Sequence, residues 1–297
     1  MIDVQYSYPQ PLRTKFGRAY LKRLSIIRES CRLVVPYFVK FWRERLTYRT
    51  QLVLMSMSSL IGFIQFGLLG AFLSMGGQFP GIEAYGGNIV GFLVTGSIGS
   101  SMLLMMMGVA KNVIQEEQRI GTLEMMASSR AGLGALIVTR LVVNFLSTVV
   151  TSSVLVAVFF LIFDIKANVD IVGLILAVVV GSLLMSAVGV CAAGYILNSK
   201  AGEPFTWTVT TIMGLFSGVL FPVEIYPGWL SSFAQMLPTT AIMAALRTTT
   251  LSGASPLATL SQLIPSLVSL MIFIPLGIFM FKWGMNQART KGSIGQY

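Results

Sequence analysis

The side chains that do most enzyme chemistry are scarce in this sequence. It has no histidine, two cysteines and eleven Asp plus Glu among 297 residues. Without His, the commonest ligand for zinc and haem and the usual proton shuttle near neutral pH are missing. Cys31 lies in a basic arm and Cys191 in an apolar run, so no disulfide framework is indicated. No G-x-x-x-x-G-K-[ST] loop occurs, so no Walker-type ATP site is expected in this chain. All eleven acids fall in arms, loops or the ends of apolar runs. A membrane enzyme needs His, Asp or Glu gathered at one depth, and an ion-coupled transporter usually keeps carboxylates or broken helices at mid-membrane. The chain is therefore expected to be no catalyst itself, to hold no metal and to bind no cofactor of its own.

One charged stretch stands out, Ile114–Arg130, I-Q-E-E-Q-R-I-G-T-L-E-M-M-A-S-S-R, with three acids between two long apolar runs. Gly121 offers a break, Thr122 an N-cap, and Glu124 sits in the first turn of a short helix, where its charge suits the helix dipole. Met125 stands where a capping box would have Glu. Leu123, Met126 and Ala127 are expected to face the membrane side and the charges the cytosol. A bare turn between antiparallel helices needs only about two to eight residues, so a charged helix here points to a docking surface. Other features leave alternatives open. Met102, Met105, Met106 and Met107 are soft ligands for Cu(I) or simply gap-fillers. The hydroxyls of Thr206, Thr208, Thr210 and Thr211 bond carbonyls one turn back or touch a substrate. Asn88, Thr95, Ser97, Ser100 and Ser101, with Gly96 and Gly99, line a pathway or permit close helix packing. Arg140 is expected to snorkel to the headgroups.

The elements that must position these residues are membrane helices. The chain is 55% hydrophobic and 11% charged, against about 25% charged in soluble domains, and its mean hydropathy is +0.78. Apolar runs of about 20 residues span a bilayer core of about 30 Å, whereas β-barrel strands are about ten residues of alternating polarity. The expected fold is an all-α integral membrane protein with six transmembrane helices near 51–75, 85–110, 133–163, 171–197, 205–221 and 263–281. Residues 1–50 form a basic arm with helices at 17–29 and 34–48, and 51–297 the six-span domain with a C-terminal tail. Tyr37, Phe38, Phe41, Trp42 and Leu46 recur at helical spacing opposite Lys40, Arg43, Glu44 and Arg45, the pattern of an interfacial helix. Between spans five and six, Pro227 and Pro238 punctuate two short helices, at about 228–236 and 239–249, of a re-entrant kind. With six spans, nineteen of the twenty-one Lys and Arg fall on the side of the N-terminal arm, Ile114–Arg130 and the tail, leaving Lys166 and Arg247 on the other. By the positive-inside rule both termini are cytosolic, in a multi-pass plasma-membrane protein.

Three patches then resemble a known family, the ABC type-2 transporter permeases. Glu116-Glu117-Gln118-Arg119-Ile120-Gly121-Thr122-Leu123-Glu124 is similar to the family's E-R-E-x-G-T-L-E run. Phe216–Trp229, with Leu237-Pro238 and Ala245-Leu246-Arg247, resembles its extracellular signature, and Ala288–Tyr297 a frequent family ending. The resemblance implies one half of an efflux-type exporter of drugs, lipids or other small amphipathic cargo. It implies a pair of permeases, a homodimer or a sister pair, over two separate ABC ATPase subunits that supply ATP and Mg. Glu116, Glu117, Arg119, Gly121, Thr122 and Glu124 would be the ATPase-coupling residues. The second and fifth spans would line the substrate path, through Phe92, Thr95, Ser100, Thr210 and Phe216. Pro222, Glu224, Pro227, Pro238 and Arg247 would belong to an extracellular gate. The expected partners are these subunits and membrane lipid, with no nucleic acid. The competing readings are a secondary transporter, which would run on an ion gradient without ATP, and a non-transporting scaffold or sensor.

Overall fold

The computed structural model describes residues 32–75, 81–82, 85, 87–129, 132–165, 168–199 and 203–290. The expected helix at 17–29, Cys31, Arg130, Lys166 and most of the tail motif lie outside them. Among the described residues the chain is helical, without strands. Helix α1 covers 32–47 and breaks at Tyr48. There follow α2 (Arg49–Ser74), α3 (Ile89–Ile120), α4 (Leu123–Ser128), α5 (Gly132–Ile162), α6 (Ile171–Ser199), α7 (Glu203–Phe216), α8 (Gly228–Met236), α9 (Pro238–Arg247) and α10 (Pro256–Thr290).

Five of these helices, α2, α3, α5, α6 and α10, are long and apolar enough to cross a membrane. The expected fifth of six spans is shorter than its apolar run suggests. α7 has 14 residues and ends at Phe216, about 21 Å at 1.5 Å per residue, because the chain leaves helical geometry over 217–221. The last span is longer than expected, 35 residues from Pro256 with Pro265 and Pro275 inside it. Pro at the first helical position needs no hydrogen-bond donor, so the helix starts where the apolar count has not yet begun.

α3 and α6 form the inside of the bundle, with 67% and 56% of their apolar windows buried against 12–17% for α2, α5 and α10. Leu103, Met106 and Met107 of α3 pack with Leu184, Met185 and Val188 of α6, Ile242 and Met243 of α9 and Leu263 of α10. Three of the four methionines of the cluster are thus buried packing residues. Met105 is partly exposed, and its sulfur accepts a hydrogen bond from Thr148. α6 and α10 approach backbone to backbone at Gly194 and Gly284, where a Cβ on either would overlap the other helix. Small residues are how helices gain contact in lipid, where no hydrophobic drive exists.

Two clusters mark opposite ends of α3. At one end Ala110, Val113 and Ile114 pack with Leu123 of α4, Leu133 and Ile137 of α5, and Ile196 and Leu197 of α6. At the other Ile89, Phe92 and Leu93 pack with Ile82, Tyr85, Ile165 and Leu251. We call these the elbow end and the cap end. The chain leaves α6 at the elbow end and, by Gly218, is at the cap end, hydrogen-bonded to Arg247 beside Phe92. Phe92 and Ile114 are about 33 Å apart at helical rise.

Candidate functional site

At the elbow end the charged stretch is not a separate loop. Its first seven residues, 114–120, are the last two turns of α3. The stop is made by Gly121 at φ 78°, a left-handed position natural to glycine. The Thr122 amide donates to the Glu117 carbonyl at 3.0 Å and the Gly121 amide to the Gln118 carbonyl at 3.1 Å, the paired bonds of a Schellman ending. Thr122 does not cap α4 as expected. Its hydroxyl donates instead to the Glu117 carboxylate, which is buried. That bond clips the start of α4 to the end of α3.

α4 is held by its apolar side. Leu123 is 2% exposed within the elbow cluster, and Met126 and Ala127 pack against it. These three residues therefore face the helix bundle, away from the exposed charges. Arg119, Ile120, Glu124 and Met125 are exposed, and Glu124 occupies the first turn of α4.

Arg140, expected to snorkel, is engaged within the chain. Its Nη2 donates to Glu116 at 3.1 Å, and its guanidinium lies over the Tyr37 ring of α1 at 4.8 Å. Its Nε is buried with no hydrogen-bond partner. The pair is a quarter to two-fifths exposed, and such ion pairs contribute about 0–1 kcal/mol, with about 0.5–1 kcal/mol for an exposed cation–π contact. The node is too weak to hold the fold. What it does is join α1, α3 and α5 at one point.

At the cap end Arg247, which the charge count placed on the outer side, is 2% exposed. Its Nη1 donates to the Gly218 carbonyl at 2.7 Å, Nη2 to Val219 at 2.8 Å and Nε to Phe92 at 3.3 Å. The Phe92 ring lies 3.5 Å from the guanidinium carbon. Gly96 leaves the room: a Cβ there would overlap Arg247 and the Val219 carbonyl. Among the described residues no carboxylate is within ion-pair reach of Arg247. Burial pulls its pKa down to about 9, against upward pulls from Tyr85 and Glu224, so the side chain stays charged at neutral pH. Arg247 thus fastens the chain after α7 and the end of α9 to α3.

Of the five expected gate residues, Pro222, Glu224 and Arg247 line one cavity of about 230 Å³, with Tyr85, Ser217 and Gln235. Pro227 precedes α8 and Pro238 opens α9, and the Pro238 carbonyl accepts from the Ser266 hydroxyl of α10 at 2.7 Å. The expected path residues are not brought together within one chain. Phe92 and Thr95 are buried beneath Arg247, and the Thr95 hydroxyl donates to the Gly91 carbonyl at 2.6 Å. Ser100 donates to Ser97 and Thr210 to Trp207, each within its own helix. Phe216 is partly exposed and meets Phe233 edge to face at 5.6 Å. Asn88, weighed as a path residue, is the N-cap of α3. Sequence reasoning named Gly96 only as one of several small residues, without its contact to Arg247, and missed the Arg140 node. The first carried a signal in the small-residue run of α3; the second had none, because residues 24 positions apart meet only through the register of two helices.

A protein-family model described as ABC-2 family transporter protein matches residues 73–281, more than half of the chain. No curated protein matches it. The matched stretch takes in α3 to α9 and most of α10, and with them the elbow and the cap.

Proposed function

Because the chain belongs to the ABC-2 family transporter proteins and is, as such, a membrane permease subunit, we propose that it is half of an ATP-driven exporter. It moves a drug, lipid or other small amphipathic molecule out of the cytosol or inner leaflet by alternating access. Two permeases pair, as copies or as sister chains, and two separate ATPase subunits with bound ATP and Mg dock beneath them. Six crossings are counted with the stretch from α7 to Gly218 as the fifth, and both termini face the cytosol of the plasma membrane.

The observation that carries this reading is the elbow. α4 is buried on one side, clipped to α3 through Glu117 and Thr122, and leaves Arg119, Glu124 and Met125 exposed. A partner can shift the inward–outward equilibrium only by contacts that differ between the two states, so it needs a rigid grip on a long helix. α3 supplies one: at 32 residues it runs from elbow to cap and is about 48 Å long, longer than a bilayer core. At its far end Arg247 fastens the cap to it, so that motion of the elbow reaches Pro222, Glu224 and the cavity they line.

The test is purification from native membranes through a tag on the permease, followed by reconstitution of what it retains. The ATPase is expected to co-purify, and candidate amphipathic dyes to move only with hydrolysable ATP. Flux driven by an ion gradient without ATP would replace this reading with a secondary transporter.

A further inference from the structure

An open groove of about 620 Å³ lies where α1 turns into α2, lined by Phe38, Val39, Trp42, Arg43, Leu46 and Arg49 among others. Its floor is apolar and unusually open for a packed helix, with Val39 49% and Leu46 60% exposed. Arg43 and Arg49 are exposed, and neither pairs with a carboxylate among the described residues. The neighbouring charges are otherwise engaged: Lys40 pairs with Glu44 at 3.6 Å, and Arg45 lies over the Phe41 ring at 4.3 Å. The indole Nε1 of Trp42 is buried and has no hydrogen-bond partner. A buried donor left unsatisfied is costly, and in native structures nearly every one meets an acceptor from the protein, from water or from a bound molecule.

The depth of the groove narrows what that acceptor is. Arg49 is the first residue of α2, an apolar helix of 26 residues long enough to cross a membrane. The start of such a helix stands at the level of the lipid headgroups, where aromatic and basic residues gather. We infer that the groove between α1 and the start of α2 is a binding site for an anionic phospholipid. Its phosphate lies between Arg43 and Arg49, an ester or phosphodiester oxygen accepts from the Trp42 indole, and an acyl chain runs along Phe38, Val39 and Leu46. Two guanidiniums without a carboxylate in the groove favour a net negative headgroup over a zwitterionic one. A water-soluble phosphate ester would leave the apolar floor uncovered.

The site rests on the helices being membrane spans and not on the direction or energy of transport, so its test needs no transport. The full chain is purified in detergent, and retention of phosphatidylglycerol and of phosphatidylcholine of matched chains is read by native mass spectrometry. The wild type is expected to retain phosphatidylglycerol over phosphatidylcholine. Each arginine near a membrane surface is worth about fivefold in binding an anionic lipid, so Arg43→Gln with Arg49→Gln should cut that preference about 25-fold. Arg45→Gln, outside the groove, should leave it unchanged. Trp42→Phe, which keeps the ring and removes the donor, should weaken both lipids alike. Equal losses in the Arg45 and the Arg43/Arg49 variants would mean diffuse surface charge and overturn the site. So would an unchanged preference in the double variant, as expected if another part of the chain covers the groove.

Discussion

Arg247 holds a buried charge that, among the described residues, has no carboxylate within ion-pair reach. Three carbonyls and a phenyl ring meet it instead, and the planar fork of arginine is what reaches all three, which a lysine ammonium cannot. Each buried carbonyl left without a donor costs about 1–3 kcal/mol. Arg247→Lys should therefore destabilise the fold by about 2 kcal/mol or more, and Gly96→Ala, by pushing the guanidinium away, by a similar amount. The buried thiol of Cys191 gives a direct readout in a Cys31→Ser background: a thiol-reactive dye should reach it at lower temperature in both variants. The double variant should be little worse than either single one, because neighbours acting through one contact are not additive. Full additivity would show that Gly96 and Arg247 act apart. The sequence placed this arginine in a polar stretch between spans, and a charge count has no means of telling a solvated cation from one folded under a cap. Its acceptors are backbone atoms, which have no residue type to recognise.

The elbow shows what an element can disclose before its packing is known. Gly121 after a basic last turn announces a helix end, and it does end α3. The signal was legible as a break, but the seven residues before it belong to the membrane helix because Val113, Ile114 and Glu117 continue its buried face. The short helices before and after Pro238 fall close to their expected bounds, since proline fixes the start of each. α7 could not be bounded this way: Leu215 to Val219 is apolar enough to continue a helix, and only the pull of Arg247 on the carbonyls of Gly218 and Val219 shows why the chain turns there. The node of Tyr37, Arg140 and Glu116 belongs to this scale too, since it sets three helices against one another. Glu116→Gln or Arg140→Gln should change stability by about 1 kcal/mol or less, yet lower transported molecules per ATP in the reconstituted complex several-fold. Exchanging the two, Glu116→Arg with Arg140→Glu, should recover part of the loss. Coupling untouched by either single change would mean that the node is packing and nothing more.

At the scale of the molecule, one long helix joins two ends built differently. The elbow end is a small, anchored, charged face; the cap end is a set of short helices, α8 and α9, pinned by a buried arginine. Composition alone was enough to see the all-helical membrane architecture, because a chain with 11% charged residues cannot surround itself with water. It could not show that five helices are long enough to cross while α7 stops at Phe216 after 14 residues. The central claim is that the face of α4 is gripped by a separate ATPase. A photo-crosslinking amino acid at Met125, which is 65% exposed, measures it in intact membranes, with one at Trp229, 76% exposed at the cap, as the opposite end. The account predicts a nucleotide-sensitive crosslink from position 125 to a protein whose peptides contain a Walker loop, and none from position 229. A crosslink to that ATPase from position 229, or none from 125 in a complex that transports, would contradict it.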